Sequence, residues 1–346
     1  MRRGATPPGE HPQAPAPHRK KVPAASVFIP LLLLAGTGHA QGTRAVAFTF
    51  DDLPAVRFSS VAEAEVITVK LLGHLRALGI PAIGFVNEGK LHAAPEVSGQ
   101  LTALLEAWLD AGFELGNHTY SHMRLFNNPL EQVQADVLRG ERQTRRLLTA
   151  RGLRPRYFRH PTLNTGPDLE TKEAFERFLT VHGYLVAPVT IDNDEYLYAL
   201  AYDRTRARGD SGVVGRLRAD YVRYMEETFR FYEALSDSLL GRQPAQVLLL
   251  HANALNADVL PALAAMAAGR GYRFVSLEEA LRDPAYGLPD RYVGSRGPSW
   301  LVRWALTRGR RPAEPPGIPA WVRDAVTASP SPPSRPASPS SPAPWP

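Results

Sequence analysis

The chain has 346 residues, 44% hydrophobic and 21% charged, which allows one large domain or two small ones. The formal charge is +6, but five of the 40 basic residues and only one of the 34 acids lie in residues 1–40, leaving +2 for the remainder. That balance, with no basic stripe interleaved with aromatics, excludes a nucleic-acid reading; the lack of Cys excludes disulfides and thiolate chemistry, so a metal site must use His and carboxylates.

In chain order, Arg19-Lys20-Lys21 precede the apolar run Val27–Gly36, and Gly38 and Ala40 follow at the two positions a signal peptidase reads. The pattern predicts a secretory signal over 1–40 and an exported chain, with an uncleaved anchor as the alternative. The apolar core is short for a permanent span, and no later segment is long and apolar enough for one.

Ala45-Val46-Ala47-Phe48-Thr49-Phe50 is a β-rich apolar run that ends in Asp51-Asp52. Two acids at the mouth of a strand repel each other, and a divalent cation on one of them relieves the conflict. Taken alone, the pair also reads as a turn after a strand. Ser60 with Glu63 is a capping box that opens a helix to about Leu78, stopped by Gly79. Then come a strand over Pro81–Val86, a helix over Ser98–Ala111 and a short strand over Phe113–Asn117, which delivers His118-Thr119-Tyr120-Ser121-His122. Asn128-Pro129-x-Glu131 starts a helix to about Ala150. A strand over Arg156–Arg159 leads to His160-Pro161, a helix covers Pro167–His182, and a strand over Tyr184–Ile191 ends at Asp192. Ser211–Leu240 reads as a charged, aromatic-rich helix. Gln246–Leu250 is a buried strand ending at His251, followed by a helix near Asp258–Ala268, a strand over Tyr272–Val275 and a capping box at Ser276-x-x-Glu279. One helix is expected around Ser299–Thr307, and a Pro, Ser and Ala tail from about Ser329 reads as disordered.

Near-continuous apolar strands alternating with helices predict an α/β fold with a helix-covered parallel sheet. A distorted (β/α) barrel fits best, because the polar residues of interest fall at the C-terminal ends of successive strands, where barrels carry their active sites.

Those strand ends bear Asp51-Asp52, His118 and His122, Arg159, Asp192 and His251. Singly, each has a plain reading: HxxxH as two surface imidazoles, Arg159 as a rim cation, Asp192 as a turn cap, His251 as a satisfied buried His. Together they make chemical sense. Two His and one carboxylate form a catalytic zinc site, reaching one metal if the HxxxH segment is helix-like. A second carboxylate takes a proton from water, with an Arg holding it ionised. A His on the opposite side protonates the leaving group, and an Asp behind it raises its pKa.

Thr49-Phe50-Asp51-Asp52, His118-Thr119-x-x-His122, Arg159-x-Pro161, Asp192 and Leu249-x-His251 resemble, in this order, the motifs of the polysaccharide deacetylases. That family includes chitin and peptidoglycan N-deacetylases and acetylxylan esterases. The resemblance spans roughly 44–282. It implies a divalent metal, usually Zn2+, on Asp52, His118 and His122, with Asp51 as base and Arg159 as its partner. It implies His251 as acid, Asp192 behind it, and Leu249 lining the acetyl pocket. Thr162 stands where the family has an aromatic, which leaves its backbone N–H to serve an oxyanion. Asp192-Asn193-Asp194-Glu195-Tyr196 stands where the family reads Asp-x-x-Asp-Trp, with Tyr196 in the place of the stacking Trp.

The expected organisation is a signal over 1–40, a catalytic domain over 41–283 with a helical insertion at 199–240, an extension over 284–328 and a tail over 329–346. The expected activity is metal-dependent removal of acetyl groups from an N-acetylated polysaccharide, the partner being that glycan rather than nucleic acid. The alternatives are an O-acetyl esterase on xylan or another glycan, a hydrolase of a non-sugar amide, and a non-catalytic glycan-binding envelope protein.

Overall fold

The computed structural model describes residues 44–92 and 98–327. The expected signal over 1–40 and the expected disordered tail over 329–346 lie outside the described residues. Seven strands form one sheet: β1 (Arg44–Leu53), β2 (Ala82–Val86), β3 (Glu114–Asn117), β4 (Tyr157–Phe158), β5 (Leu185–Val186), β6 (Gln246–His251) and β7 (Tyr272–Phe274). The order is β5-β4-β3-β2-β1-β6, with β7 on the first residues of β1, and every pairing is parallel. The chain after β5 crosses back to β6, where Ile191 pairs with Leu248 and Leu249 N–H donates to the Ile191 carbonyl at 3.1 Å. The sheet therefore curls until its two edges meet, as expected for a distorted (β/α) barrel. The strand expected over Tyr184–Ile191 survives only at its two ends, because it changes partner midway from β4 to β6.

Strand β1 shows how sequence builds this arrangement. Successive side chains of a strand point to opposite faces. Val46, Phe48 and Phe50 pack outward beneath the helices, while Ala45 and Ala47 join Ile83, Phe85, Tyr157 and Val247 in a separate inner cluster. Thr49 and Asp51 continue the inner row, and register sets Thr49 beside Leu249 and Asp51 beside His251. Both faces are covered, which is why the strand reads as an almost unbroken apolar run.

The helix expected over Asn128–Ala150 is two helices, Leu130–Arg139 and Arg142–Thr149, broken at Gly140. A Cβ at Gly140 would lie 2.4 Å from the backbone of Thr119 and Tyr120, so the break lets the loop after β3 come close. The helices Glu195–Ala207 and Ser211–Leu240 pack on each other and on Ala254–Gly269. The longest of them buries Leu217, Tyr221, Tyr224, Met225, Phe229 and Tyr232, a stripe at helical spacing. Ser299 caps the helix Trp300–Thr307, and a further helix, Ala320–Thr327, follows. No helix among the described residues is long and apolar enough to cross a membrane.

One buried acid ties two of these parts together. Glu88, in the short turn Glu88–His92 after β2, is 1% exposed. Its carboxylate accepts from Gln143 N–H at 3.0 Å and from Thr144 N–H at 2.6 Å, capping the helix Arg142–Thr149 from outside. Glu88→Ala strands both donors and is expected to cost about 1–3 kcal/mol. Urea unfolding checks this, and an unshifted midpoint would exclude Glu88 as that helix's cap.

Candidate metal and acid–base site

The site begins with an irregularity in β1. In a regular strand Asp51 and Asp52 would face opposite ways. Here the pairing of β1 with β2 shifts between Phe50 and Leu53, and Asp52 adopts a left-handed φ of 69°. A bulge of this kind re-aims a side chain. Both carboxylates consequently reach one imidazole: His118 Nε2 lies 3.7 Å from Asp51 Oδ2 and 3.9 Å from Asp52 Oδ1.

His122 Nε2 lies 3.8 Å from the same Asp52 oxygen. The HxxxH segment is not helix-like, so the helical condition for sharing one metal is not what brings the two rings together. It is a loop in which Thr119 and His122 take φ values of 63° and 59°. Side chains supply the hydrogen bonds that a helix would have provided. Asn117 Oδ1 accepts from Thr119 N–H at 2.7 Å, and the Asp136 carboxylate accepts from Ser121 N–H at 2.9 Å. Asn87 Nδ2 donates to the His118 carbonyl at 2.5 Å.

The donor set suits a divalent metal. Ligand atoms of Asp52, His118 and His122 all lie within 4.8 Å of one another. His118 Nδ1 is 2.8 Å from the Arg159 carbonyl and donates to it, which leaves the Nε2 lone pair facing the acids. Burial holds both imidazoles below their usual range, the neighbouring His122 adding to the effect on His118, so both are neutral. Burial opposes ionisation of Asp52, but the Lys90 charge outweighs it and holds that carboxyl below the ordinary range. Lys90 was not singled out in the sequence. Its Nζ lies 3.6 Å from Asp52 Oδ1 and donates to the carbonyls of Asp52 and Ala55. The signal it offered was its place in the turn that follows β2, at the same end of the sheet as the other candidates.

Asp51 lies in a different environment. Burial pushes its pKa up to about 6, against the pull of Arg159 and His251. The Arg159 guanidinium, fully buried, is 3.5 Å from Asp51 Oδ1, and its Nη2 donates to Thr49 Oγ1 at 3.0 Å. Beside it, on the neighbouring strand β6, stands His251. Burial alone would lower its pKa, but the charge and hydrogen bond of Glu195 raise it to about 9.

Glu195 is the residue behind His251, in place of the expected Asp192. Its Oε2 lies 2.8 Å from His251 Nδ1, and its other oxygen accepts from Asn253 and Asn256. Asn256 is held in turn by Tyr221 of the long helix, at 2.8 Å. Asp192 instead accepts from the N–H of Asn193 at 2.9 Å. The physical reason is the chain's turn into the helix Glu195–Ala207, which carries the acid three positions on toward His251. The spacing Asp192-x-x-Glu195 was the available signal.

Of the three substrate-binding candidates, Leu249 and Tyr196 lie beside His251. Leu249 is buried, two positions before His251 on the same strand and therefore on the same face. Tyr196 is 50% exposed and lines a small cavity with Val56, Arg57, Asp203, His251 and Asn253. Thr162, exposed, heads a left-handed pair with Leu163, at φ 52° and 55°.

Residues 38–175 match the family model described as polysaccharide deacetylase. Comparison with curated protein sequences gave no match. Among solved structures, a family 4 carbohydrate esterase from Streptomyces lividans in complex with acetate is 22% identical, covering 68% of this chain and 95% of that one at a TM-score of 0.42. A family 4 acetyl xylan esterase from Clostridium thermocellum in complex with a cobalt ion is 18% identical, covering 71% and 93% at a TM-score of 0.42. A family 4 pseudoenzyme from Bacillus anthracis is 15% identical, covering 70% and 66% at a TM-score of 0.43.

The Glu195–His251 pairing has a direct readout. Glu195→Gln removes the charge that favours the imidazolium, so the His251 pKa falls from about 9 toward the usual 6.5. Asp192→Asn leaves it near 9. Titration of the His251 ring protons by NMR distinguishes the two, and the reverse pattern would restore Asp192 as the partner.

Proposed function

From the match of residues 38–175 to the polysaccharide deacetylase family, we propose that the protein is a metal-dependent hydrolase removing acetyl groups from an N-acetylated polysaccharide, chitin-like or peptidoglycan-like. The observation that carries this reading is the convergence of Asp52, His118 and His122 donor atoms within 4.8 Å of one another, between a buried carboxylate and a charged imidazole. Binding alone calls for neither a base nor an acid at such a place. The basic and apolar leader supports export, and with it an extracellular or envelope glycan as substrate.

Each residue has one task. Asp52, His118 and His122 would hold the divalent ion, zinc by the character of the donors, which supplies a Lewis acid that lowers the pKa of water and polarises the acetyl carbonyl. Asp51 accepts the proton of the attacking water as its oxygen bonds to the carbonyl carbon. Arg159 keeps that carboxylate in place and ionised. The Thr162 N–H faces the oxyanion. His251 gives a proton to the amide nitrogen as the C–N bond breaks, releasing acetate and the free amine. Tyr196, at the rim beside His251, offers a ring for a sugar face to lie on.

The proton inventory sets the working window. Asp51, with a pKa near 6, is ionised above that value, and His251, with a pKa near 9, stays charged below it. Glu195 thereby widens the range in which base and acid are both ready.

Acetate release from N-acetylglucosamine oligomers, N-acetylated peptidoglycan and acetylxylan tests the reading. Chelation is expected to abolish release and zinc to restore it. Asp51→Asn is expected to lower kcat by about 100-fold or more at similar KM. Release from acetylxylan alone would move the assignment to an O-acetyl esterase, and an Asp51→Asn variant working at the wild-type rate would remove Asp51 as base.

A further inference from the structure

The left-handed pair Thr162-Leu163 is costly. Left-handed φ at a non-glycine residue is uncommon and strained, more so at β-branched Thr. Such a conformation persists where the surroundings over-determine it, and here they come from far along the chain. The loop over 160–166 is covered by residues 290–303, which lie outside the segment matched by the deacetylase model.

The cover is built mainly of hydrogen bonds to backbone carbonyls and one close backbone approach. Gly294 N–H donates to the Gly166 carbonyl at 3.0 Å, and Asn164 Nδ2 donates to the Gly294 carbonyl at 2.9 Å. Arg124, two residues after His122, donates to the Ser295 carbonyl at 2.6 Å. Gly297 lies directly on the strained pair: a Cβ there would be 2.0 Å from the Thr162 oxygen and 2.6 Å from the Leu163 carbonyl carbon. Both are backbone atoms, so no side-chain movement would relieve the overlap. Arg303, fully buried, closes the far side. Its guanidinium donates to the Leu163 carbonyl, to Thr165 Oγ1 at 3.0 Å and to the Pro298 carbonyl at 2.7 Å, and it stacks 3.9 Å from the Trp300 ring. Asp290, 3.5 Å from Arg303 and 2.7 Å from Lys172, offsets the buried charge.

We propose that residues 290–303 are a backbone clamp on Thr162-Leu163, with Gly297 and Arg303 as positioning residues that aim the Thr162 N–H at the reacting carbonyl oxygen. The catalytic half of this inference rests on the acetyl-removal reading above; the conformational half does not. An oxyanion donor acts on charge that develops only in the transition state, so its displacement lowers kcat and leaves KM in place.

The test compares Gly297→Ala with Gly317→Ala, a change in the same extension whose Cβ meets no atom within 4 Å. Amide hydrogen exchange over 160–166, kcat and KM on N-acetylglucosamine oligomers, and zinc binding by calorimetric titration are measured on the full chain. Gly297→Ala is expected to speed exchange in that loop at least about 10-fold and to lower kcat about 10- to 100-fold, the cost of a misplaced donor. KM and zinc affinity should stay within about twofold, and Gly317→Ala should match wild type. Exchange and kcat unchanged in Gly297→Ala would overturn the clamp. A joint fall of kcat, substrate affinity and zinc affinity would overturn its positioning role in favour of general destabilisation. If Gly297→Ala does not fold, Arg303→Lys, which keeps the charge and loses the fork, is judged by the same measurements. Wild-type protein that releases no acetate would overturn the functional reading and the catalytic half with it, while loop exchange would still decide the conformational half.

Discussion

Two neighbouring carboxylates must face one point at the open end of the barrel, and the rest of the site follows from holding them there. Unit charges about 4 Å apart interact by about 4 kcal/mol at an effective dielectric near 20, and burying each ion costs several kcal/mol more. The fold answers with a different cation for each acid. Lys90 holds Asp52 ionised, while Arg159 only partly offsets the burial that lifts Asp51 to about 6. Two like groups adjacent in the chain are thus separated in proton affinity, which suits one to coordination and the other to accepting a proton.

This separation depends on the interior of the barrel. Ala45 and Ala47 fill its lower part with little volume, and the Arg159 side chain lies above them against the Phe85 ring, 4.6 Å from its centre. There it reaches Asp51 and Thr49, while its backbone carbonyl fixes the tautomer of His118. One residue at the end of a strand of only Tyr157–Phe158 therefore orients both Asp51 and His118. Register does the same for His251, since pairing it with Asp51 sets the proposed base and acid on adjacent strands.

The strand ends were legible because periodicity and composition are local. Apolar runs stopping at Asp51, Asn117, Arg159 and His251 name their own boundaries, and alternation with helices implies parallel pairing. What escaped was non-local. HxxxH suggests a helix, but Asn117, Asp136 and Asn87, far apart in the sequence, stabilise a loop instead. The break at Gly140 comes from the close approach of the 119–120 backbone, which no cap or breaker pattern announces. Asp192 and Glu195 are both acids after one strand, and only the turn into the next helix decides which meets His251. Lys90 and Arg303 read as ordinary basic residues until their surroundings are known.

The division of labour along the chain follows from the same geometry. Asp51, Asp52, His118 and His122 come from the ends of β1 and β3, in the amino-terminal half of the described residues. The proposed acid depends on later elements. His251 is charged because Glu195 faces it, Glu195 is held by Asn253 and Asn256, and Asn256 is held by Tyr221 from the helix Ser211–Leu240. A buried carboxylate with three donors around it stays in place only if each donor is itself anchored, since an unpaired buried charge is far more costly than a lost surface contact. The long helix that reads as an insertion thus supports His251 from behind, and its aromatic stripe supplies the rigid packing which that support needs.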